Sequence, residues 1–490
     1  MLFTELESQI SALATASAAL EPTPAELISW QEAADNLLRE FIGSLSTQKT
    51  FSPSQPRTLT DFDQEVGDSD SPQYLLAAVK NGLTGSGIST AGAGHLGFIP
   101  GGGLYLGAVA DHFAAGINAF TADAYSSPIG VYIHNQTVRW LADLIGYDDL
   151  AWGDVTSGGS QATLTALCVA RDASGIKPRD YANTCVYLGE HTHHCSKKAL
   201  DILFAGDLQI RYVPSINYVM DHAWLANQIE TDIKKGLKPW LIVATAGSTN
   251  LGLVDPISLI STLARKYKIW LHVDGAYGGF FKLCPETSAM FSGLAEADSV
   301  VLDPHKGMFL PYGCGAVIFK DGSHLGRAFA ATGSYLQDRV NKSVSQRSPM
   351  DYSMELTRPF RSLRVWLAIK VYGTSIFASA LSEKLLLTRY ACQKISALPN
   401  IVIAAPIDLS IFAFRYQPAS GDLRSRDDCT KELLRKINLH GDVFLTSTLI
   451  DGHFVIRVAV LSFRTHIQTM DSLVKIIGEE SLSITMSLKS

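Results

Sequence analysis

From about residue 110 to 320 the chain alternates two patterns. Short runs with few polar positions, "TCVYLG", "IRYVPS", "LIVATAG", "IWLHVDGAY", "SVVLDP" and "GAVIFK", read as buried strands. Between them, "QATLTALCVARDA", "DHAWLANQIETDIKKG" and "ISLISTLARKY" repeat apolar residues at helical spacing. Before the first strand, "DHFAAGINAF" and "TVRWLADLIGY" also read as helices. Near-continuous apolar strands separated by helices predict an α/β fold, with a mostly parallel central sheet covered on both faces. One exception is expected. "GCGAVIF" follows "SVVLDPHKGMFL" too closely for a helical crossover, so these two strands form a hairpin.

The flanks differ. Residues 1–46 predict two helices, the second opened by Thr-Pro in "TPAELISWQEAADNLLREFI". A polar, proline-bearing arm follows, "STQKTFSPSQPRTLTDFDQEVGDSDSPQ". Residues 362–400 predict long helices, and the remainder alternates antiparallel strands with helices. The expected division is an N-terminal helical and extended segment over 1–94, a large domain over 95–375, and a smaller C-terminal α+β domain over 376–490.

Composition narrows the function. Of 490 residues, 47% are hydrophobic and 18% charged, and the net charge is −6. No long basic run suggests a nucleic-acid partner. Seven cysteines without a C-x-x-C fit a reducing compartment rather than a disulfide framework. Glu5 and Glu7 stand where a signal peptide would carry lysines, and no apolar stretch reads as long enough to span a bilayer. A cytoplasmic protein with no membrane role is expected.

Several chemically active residues fall at strand ends, where α/β sheets gather their ligands. Asp274 closes "IWLHVD", Thr245 closes "LIVAT", His191 and His193 follow "TCVYLGE", and Lys306 follows "SVVLDPH". In "TSGGSQATLTAL", Gly158, Gly159 and Ser160 open a helix whose free N–H groups favour an anion. A phosphate seat, a carboxylate for a ring nitrogen, an imidazole to stack, and a lysine to form a Schiff base together describe pyridoxal 5′-phosphate. "HTHHC" also offers zinc-ligand types, but on an extended chain only alternate residues converge, and no second ligand cluster follows. "GAGHLG" satisfies G-x-G-x-x-G without the preceding strand that a dinucleotide site needs.

The motifs "SGGSQATLTAL", "HHCSKKA", "ATAGST", "HVDGAYGG", "ADSVVLDPHKGM" and "RPFRSLRVWLAIKVYG" occur in one order across residues 157–373. In this the chain resembles the group II pyridoxal-phosphate-dependent decarboxylases, the family of aromatic-L-amino-acid, histidine and glutamate decarboxylases. The resemblance implies a type I aminotransferase-like fold and a homodimer whose N-terminal segment packs on the partner. It implies Lys306 as the cofactor-bearing lysine and Asp274 as the partner of the ring nitrogen. His193 matches the stacking histidine, with Cys195 where the family's H-x-S-x-x-[KR]-A motif has serine. Ala276 packs under the ring, and Thr245 lies near its hydroxyl. Gly159, Ser160 and His305 match phosphate contacts. Tyr335, in "GSYLQD", matches the loop tyrosine that returns a proton to the substrate carbon.

The expected reaction is decarboxylation of an L-amino acid, aromatic or apolar, to an amine and CO₂. Tyr335 favours that outcome over oxygen-dependent conversion to an aldehyde. Transamination and elimination are the other reactions this fold carries. Two departures stand out: "HLGFIPGGG" is short for the family's substrate wall, with His95 at its start, and Asp303 replaces the more usual asparagine before Pro-His-Lys.

Overall fold

The computed structural model describes residues 3–53, 71–84, 87–330, 347–418 and 423–488. The chain forms two compact units, Met1–Ser89 and Thr90–Ser490. The first holds helices Phe3–Ser17, Pro24–Ser44 and Pro72–Thr84. Thr23 caps the second as the Thr-Pro signal predicts. Its hydroxyl accepts from the Glu26 amide at 3.2 Å, and the Glu26 carboxylate accepts from the Thr23 amide at 2.8 Å. None of these three helices buries a residue.

The second unit is built on a seven-stranded sheet. Its strands are β1 (Trp152–Thr156), β2 (Thr184–Gly189), β3 (Gln209–Val213), β4 (Lys238–Thr245), β5 (Trp270–Asp274), β6 (Ser299–Leu302) and β7 (Gly315–Phe319). The spatial order is β1-β7-β6-β5-β4-β2-β3. From β3 across to β6 every pairing is parallel. β7 runs against both of its neighbours, so the expected β6–β7 hairpin is present. Val186, Ile242, Val301 and Val317 are fully enclosed, as strands covered by helices on both faces require. Each such side chain contributes about 1.5–3 kcal/mol by leaving water.

A four-stranded antiparallel sheet follows: β8 (Ile401–Ile403), β9 (Ile411–Tyr416), β10 (Thr446–Ile450) and β11 (His453–Ala459), in the order β8-β9-β11-β10. Helices Leu423–His440 and Ile467–Ser487 pack with it around Phe412, Phe414, Ile456 and Leu473. This is the expected smaller α+β region.

Two details correct the sequence reading. Helix Ser362–Ser396 is long and apolar enough to cross a membrane by composition. It is broken at Gly373, where φ is 71° and ψ 166°, and beyond the break Phe377, Leu381 and Leu385 pack into the protein core. Secondly, the histidine cluster is not extended: His193 caps a helix, His194–Phe204, that starts immediately after it.

Candidate active site

β4, β5 and β6 end side by side, with Thr245 opposite Asp274 and Asp274 opposite Val301. Their carboxyl ends, with the turn after β2 and the start of helix Gly159–Ala173, enclose one cavity. It is lined by Gly159, Ser160, His193, Cys195, Thr245, Gly247, Thr249, Asp274, Ala276, Tyr277 and Lys306. Seven of the predicted site residues therefore meet at one place. His305 stands behind the lining, its Nδ1 2.6 Å from the Cys314 carbonyl and its ring beside Gly158. Tyr335 lies outside the described residues. A second cavity, of about 350 Å³, opens at the amino ends of the strands. There Glu296 answers both Arg265 at 3.5 Å and Lys320 at 3.3 Å.

Each side chain is held by local chemistry. Asp274 Oδ1 accepts the Ala276 amide at 3.1 Å, which fixes the carboxylate at the end of β5. The Thr245 amide donates to Asp255 at 2.7 Å, while its own hydroxyl has no hydrogen-bond partner among the described residues. Burial pushes the Asp255 carboxyl up to about 6, although it also accepts the Met220 amide. His193 Nδ1 accepts the Cys195 amide at 3.3 Å, so the neutral ring carries its proton on Nε2. Burial holds this imidazole below its usual range, and the nearby Asp274 charge only partly opposes that. Burial likewise pushes the Cys195 thiol up to about 11, which leaves it an inert neighbour rather than a nucleophile.

Lys306 sits in a short helix, Pro304–Gly307, and its Nζ lies 2.9 Å from Asp303 Oδ2. Burial alone would lower its pKa. The Asp303 charge and hydrogen bond, and then the Asp274 charge, prevail and raise it. Thus the apolar run predicted from sequence does carry its lysine to an opening. The lysine side chain is 25% exposed, against 1% for Asp303.

The segment predicted as a wall packs directly on this helix. At Gly101 a Cβ would stand 2.3 Å from the His305 carbonyl oxygen, so only glycine permits the approach. His95 is buried and edges against Phe98 and Phe444 at ring separations of 6.2 and 6.1 Å. "GAGHLG" forms neither the preceding strand nor the following helix of a dinucleotide motif. Among the described residues no group of His, Cys, Asp and Glu is placed to hold a metal ion.

One residue near the cavity escaped the sequence reading. Arg457, on β11, is 4% exposed and donates to the Asn250 carbonyl, next to the cavity residue Thr249. It also contacts the Thr446 hydroxyl at 3.3 Å, and its Nη2 has no partner among the described residues. Burial lowers its pKa to about 10, so it remains a cation at neutral pH. The signal was a single arginine inside the apolar run "VIRVAV".

The donor set fits pyridoxal 5′-phosphate. A cavity amine, a strand-end carboxylate, an unpartnered buried hydroxyl and a glycine-serine helix start face one space. The pyridoxal-dependent decarboxylase conserved domain matches residues 61–417. An aromatic-L-amino-acid decarboxylase of Bacillus atrophaeus is 33% identical over 399 residues, covering 81% of this chain and 80% of that protein. A phenylacetaldehyde synthase of Arabidopsis thaliana is 26% identical over 395 residues, covering 78% and 81%. The crystal structure of Oryza sativa TDC with PLP and tryptamine superposes with a TM-score of 0.89 at 22% identity, covering 95% of this chain and 99% of that one. The chain belongs to the pyridoxal-dependent decarboxylase family, and it is a pyridoxal 5′-phosphate-dependent amino acid decarboxylase.

Proposed function

We propose that this enzyme decarboxylates an aromatic or other apolar L-amino acid to its amine. The observation that carries the reading is the joint presence of Lys306, Asp274, His193 and Thr245 around one cavity. The aromatic-L-amino-acid decarboxylase relative at 33% identity supports the substrate class.

Bound in the cavity, pyridoxal 5′-phosphate supplies an electron sink for the pair left on the substrate α-carbon when CO₂ departs. Lys306 would offer the amine that holds it. Asp274 would accept the ring N–H and keep that nitrogen charged. His193 and Ala276 would flank the ring, and the free Thr245 hydroxyl would meet its oxygen. Gly159, Ser160 and His305 would serve the phosphate. Arg457, whose buried Nη2 has no partner among the described residues, would be a cation for the substrate carboxylate. Tyr335 is the proposed donor of the proton returned to the α-carbon.

A screen over the common amino acids, reading CO₂, amine, aldehyde and peroxide, tests this. Amine from tyrosine, tryptophan or phenylalanine is expected, with aldehyde and peroxide rising in Tyr335→Phe. Turnover confined to acidic or basic amino acids would sink the aromatic reading. Aldehyde and peroxide from the unaltered enzyme would move it to the aldehyde-forming reaction.

We further propose a homodimer. Phe113, Ile117, Ile129, Tyr132, Val371 and Ile376 are exposed on helices Tyr105–Ile117, Pro128–Ile145 and Ser362–Ser396, the last of which packs on each of the other two. That apolar surface suits a second copy, and so do the three N-terminal helices that bury nothing. Light scattering on the purified protein decides between one copy and two.

A further inference from the structure

Asp303 is the carboxylate that neither the fold nor the proposed chemistry uses. It is enclosed, with Oδ2 at 2.9 Å from Lys306 Nζ and 3.6 Å from His305 Nε2. Its Oδ1 has no hydrogen-bond partner among the described residues. The backbone makes room for it on two sides. A Cβ on Gly159 would stand 2.9 Å from Oδ2, and one on Gly315 would stand 2.8 Å from Oδ1. The carboxylate is therefore wedged where it can reach the lysine and little else.

The groups facing Lys306 come from three elements. Asp303 and His305 share its own short helix, Asp274 ends β5, and His193 and Cys195 stand at the start of helix His194–Phe204. Burial holds the imidazole of His193 and the thiol of Cys195 towards their neutral forms. The fixed charges on the lysine are the two carboxylates. Of these, Asp274 is assigned to the ring nitrogen once the cofactor is in place.

We propose that Asp303 is a positioning residue that stores Lys306 as an ammonium whenever the lysine is not bonded to cofactor. It does so before loading and again when the substrate amino group displaces the lysine. The proposal rests on the reading that Lys306 bears the cofactor. Capture needs the neutral amine. The ammonium gives one proton to solvent, Nζ adds to the aldehyde carbon, and the carbonyl oxygen leaves as water as the C=N bond forms. A carboxylate 2.9 Å from Nζ opposes the first of these steps. It thereby sets the pH at which the enzyme loads.

The test follows capture by the cofactor-free full-length enzyme across a pH series, read as the rise of visible absorbance. It uses both pyridoxal 5′-phosphate and pyridoxal, which lacks the phosphate. Asp303→Asn and Asp303→Ser are compared with the unaltered chain, and circular dichroism checks that each is folded. The midpoint of the capture rate is expected at lower pH in both variants and with both aldehydes. Each unit of that shift makes capture at neutral pH about tenfold faster. An unmoved midpoint overturns the proposal. So does a shift seen with pyridoxal 5′-phosphate alone, because the carboxylate then acts on the phosphate. Borohydride fixation and peptide mapping separate the two readings. Cofactor fixed elsewhere than Lys306 overturns the assignment of the lysine itself, and with it this proposal.

Discussion

Two of the lysines withdrawn from water, Lys384 and Lys306, are treated in opposite ways. Lys384, in the long helix Ser362–Ser396, is fully enclosed. It bonds Glu383 at 2.8 Å and the Thr465 carbonyl. Burial lowers its pKa, and Glu383 only partly opposes that. Lys306 keeps more exposure, but only into a cavity, and two carboxylates raise its pKa. Depth is therefore a poor guide to reactivity. The more deeply buried lysine ties a helix to the loop before Ile467–Ser487, whereas the other faces space where a reactant can stand.

Exchanging the two lysines in turn breaks this comparison most sharply. Lys306→Ala is expected to abolish turnover and the borohydride-fixed cofactor signal. Lys384→Met should leave both in place. Its cost is to stability, about 1–3 kcal/mol for the orphaned Thr465 carbonyl, measured by denaturant unfolding. A bleached Lys384→Met protein, or a yellow, active Lys306→Ala one, reverses the assignment. Arg457 extends the contrast to a buried arginine. Arg457→Gln is expected to lower kcat/KM by about 10- to 100-fold, from the roughly 1.5–3 kcal/mol of a hydrogen bond to a charged group. If Arg457 were only structural, denaturation midpoints would fall while the KM of surviving enzyme stayed unchanged.

His272 gives a test that appears only at acid pH. It lies two residues before Asp274 on β5 and bonds Ser299 at 2.9 Å through Nδ1. Burial pushes it down to about 4, despite the nearby Asp274 charge. Unfolded, the imidazole titrates near 6.5. Between these values the unfolded chain binds the extra proton. Stability contributed by the neutral ring is therefore complete above pH 6.5 and is lost as pH falls towards 4. The full loss is about 3 kcal/mol. The unfolding free energy of His272→Gln should show a shallower acid slope, and parallel slopes would show that the ring does not carry it.

The fold was largely legible because buried parallel strands announce themselves as apolar runs. β2, β5, β6 and β7 fall inside segments that the apolar pattern marked, and β4 begins three residues before its segment, at Lys238. β1 reads less plainly, since "WGDVT" holds a buried acid. Asp154 is answered by Arg358, more than two hundred residues away, which no local pattern can reveal. Helix His194–Phe204 was missed because its opening, "HCSKKA", is polar where it meets the cavity. The sheet-end residues of the site were readable from their place at strand ends. Arg457 was not, because it approaches from the separate four-stranded sheet and only folding brings it to Asn250.

The close approach at Gly101 bears on where this segment can accept change. Position 101 tolerates no side chain, and the stretch around it is stitched to the C-terminal sheet, with the Leu96 amide bonded to Phe444 and the Ala459 amide to Leu96. Mutational drift in that wall is therefore channelled to its outward-facing neighbours, such as Phe98, and to Phe444 across from it. Substitution in this stretch is thus confined to exposed rings, while the backbone beside the lysine stays locked against change.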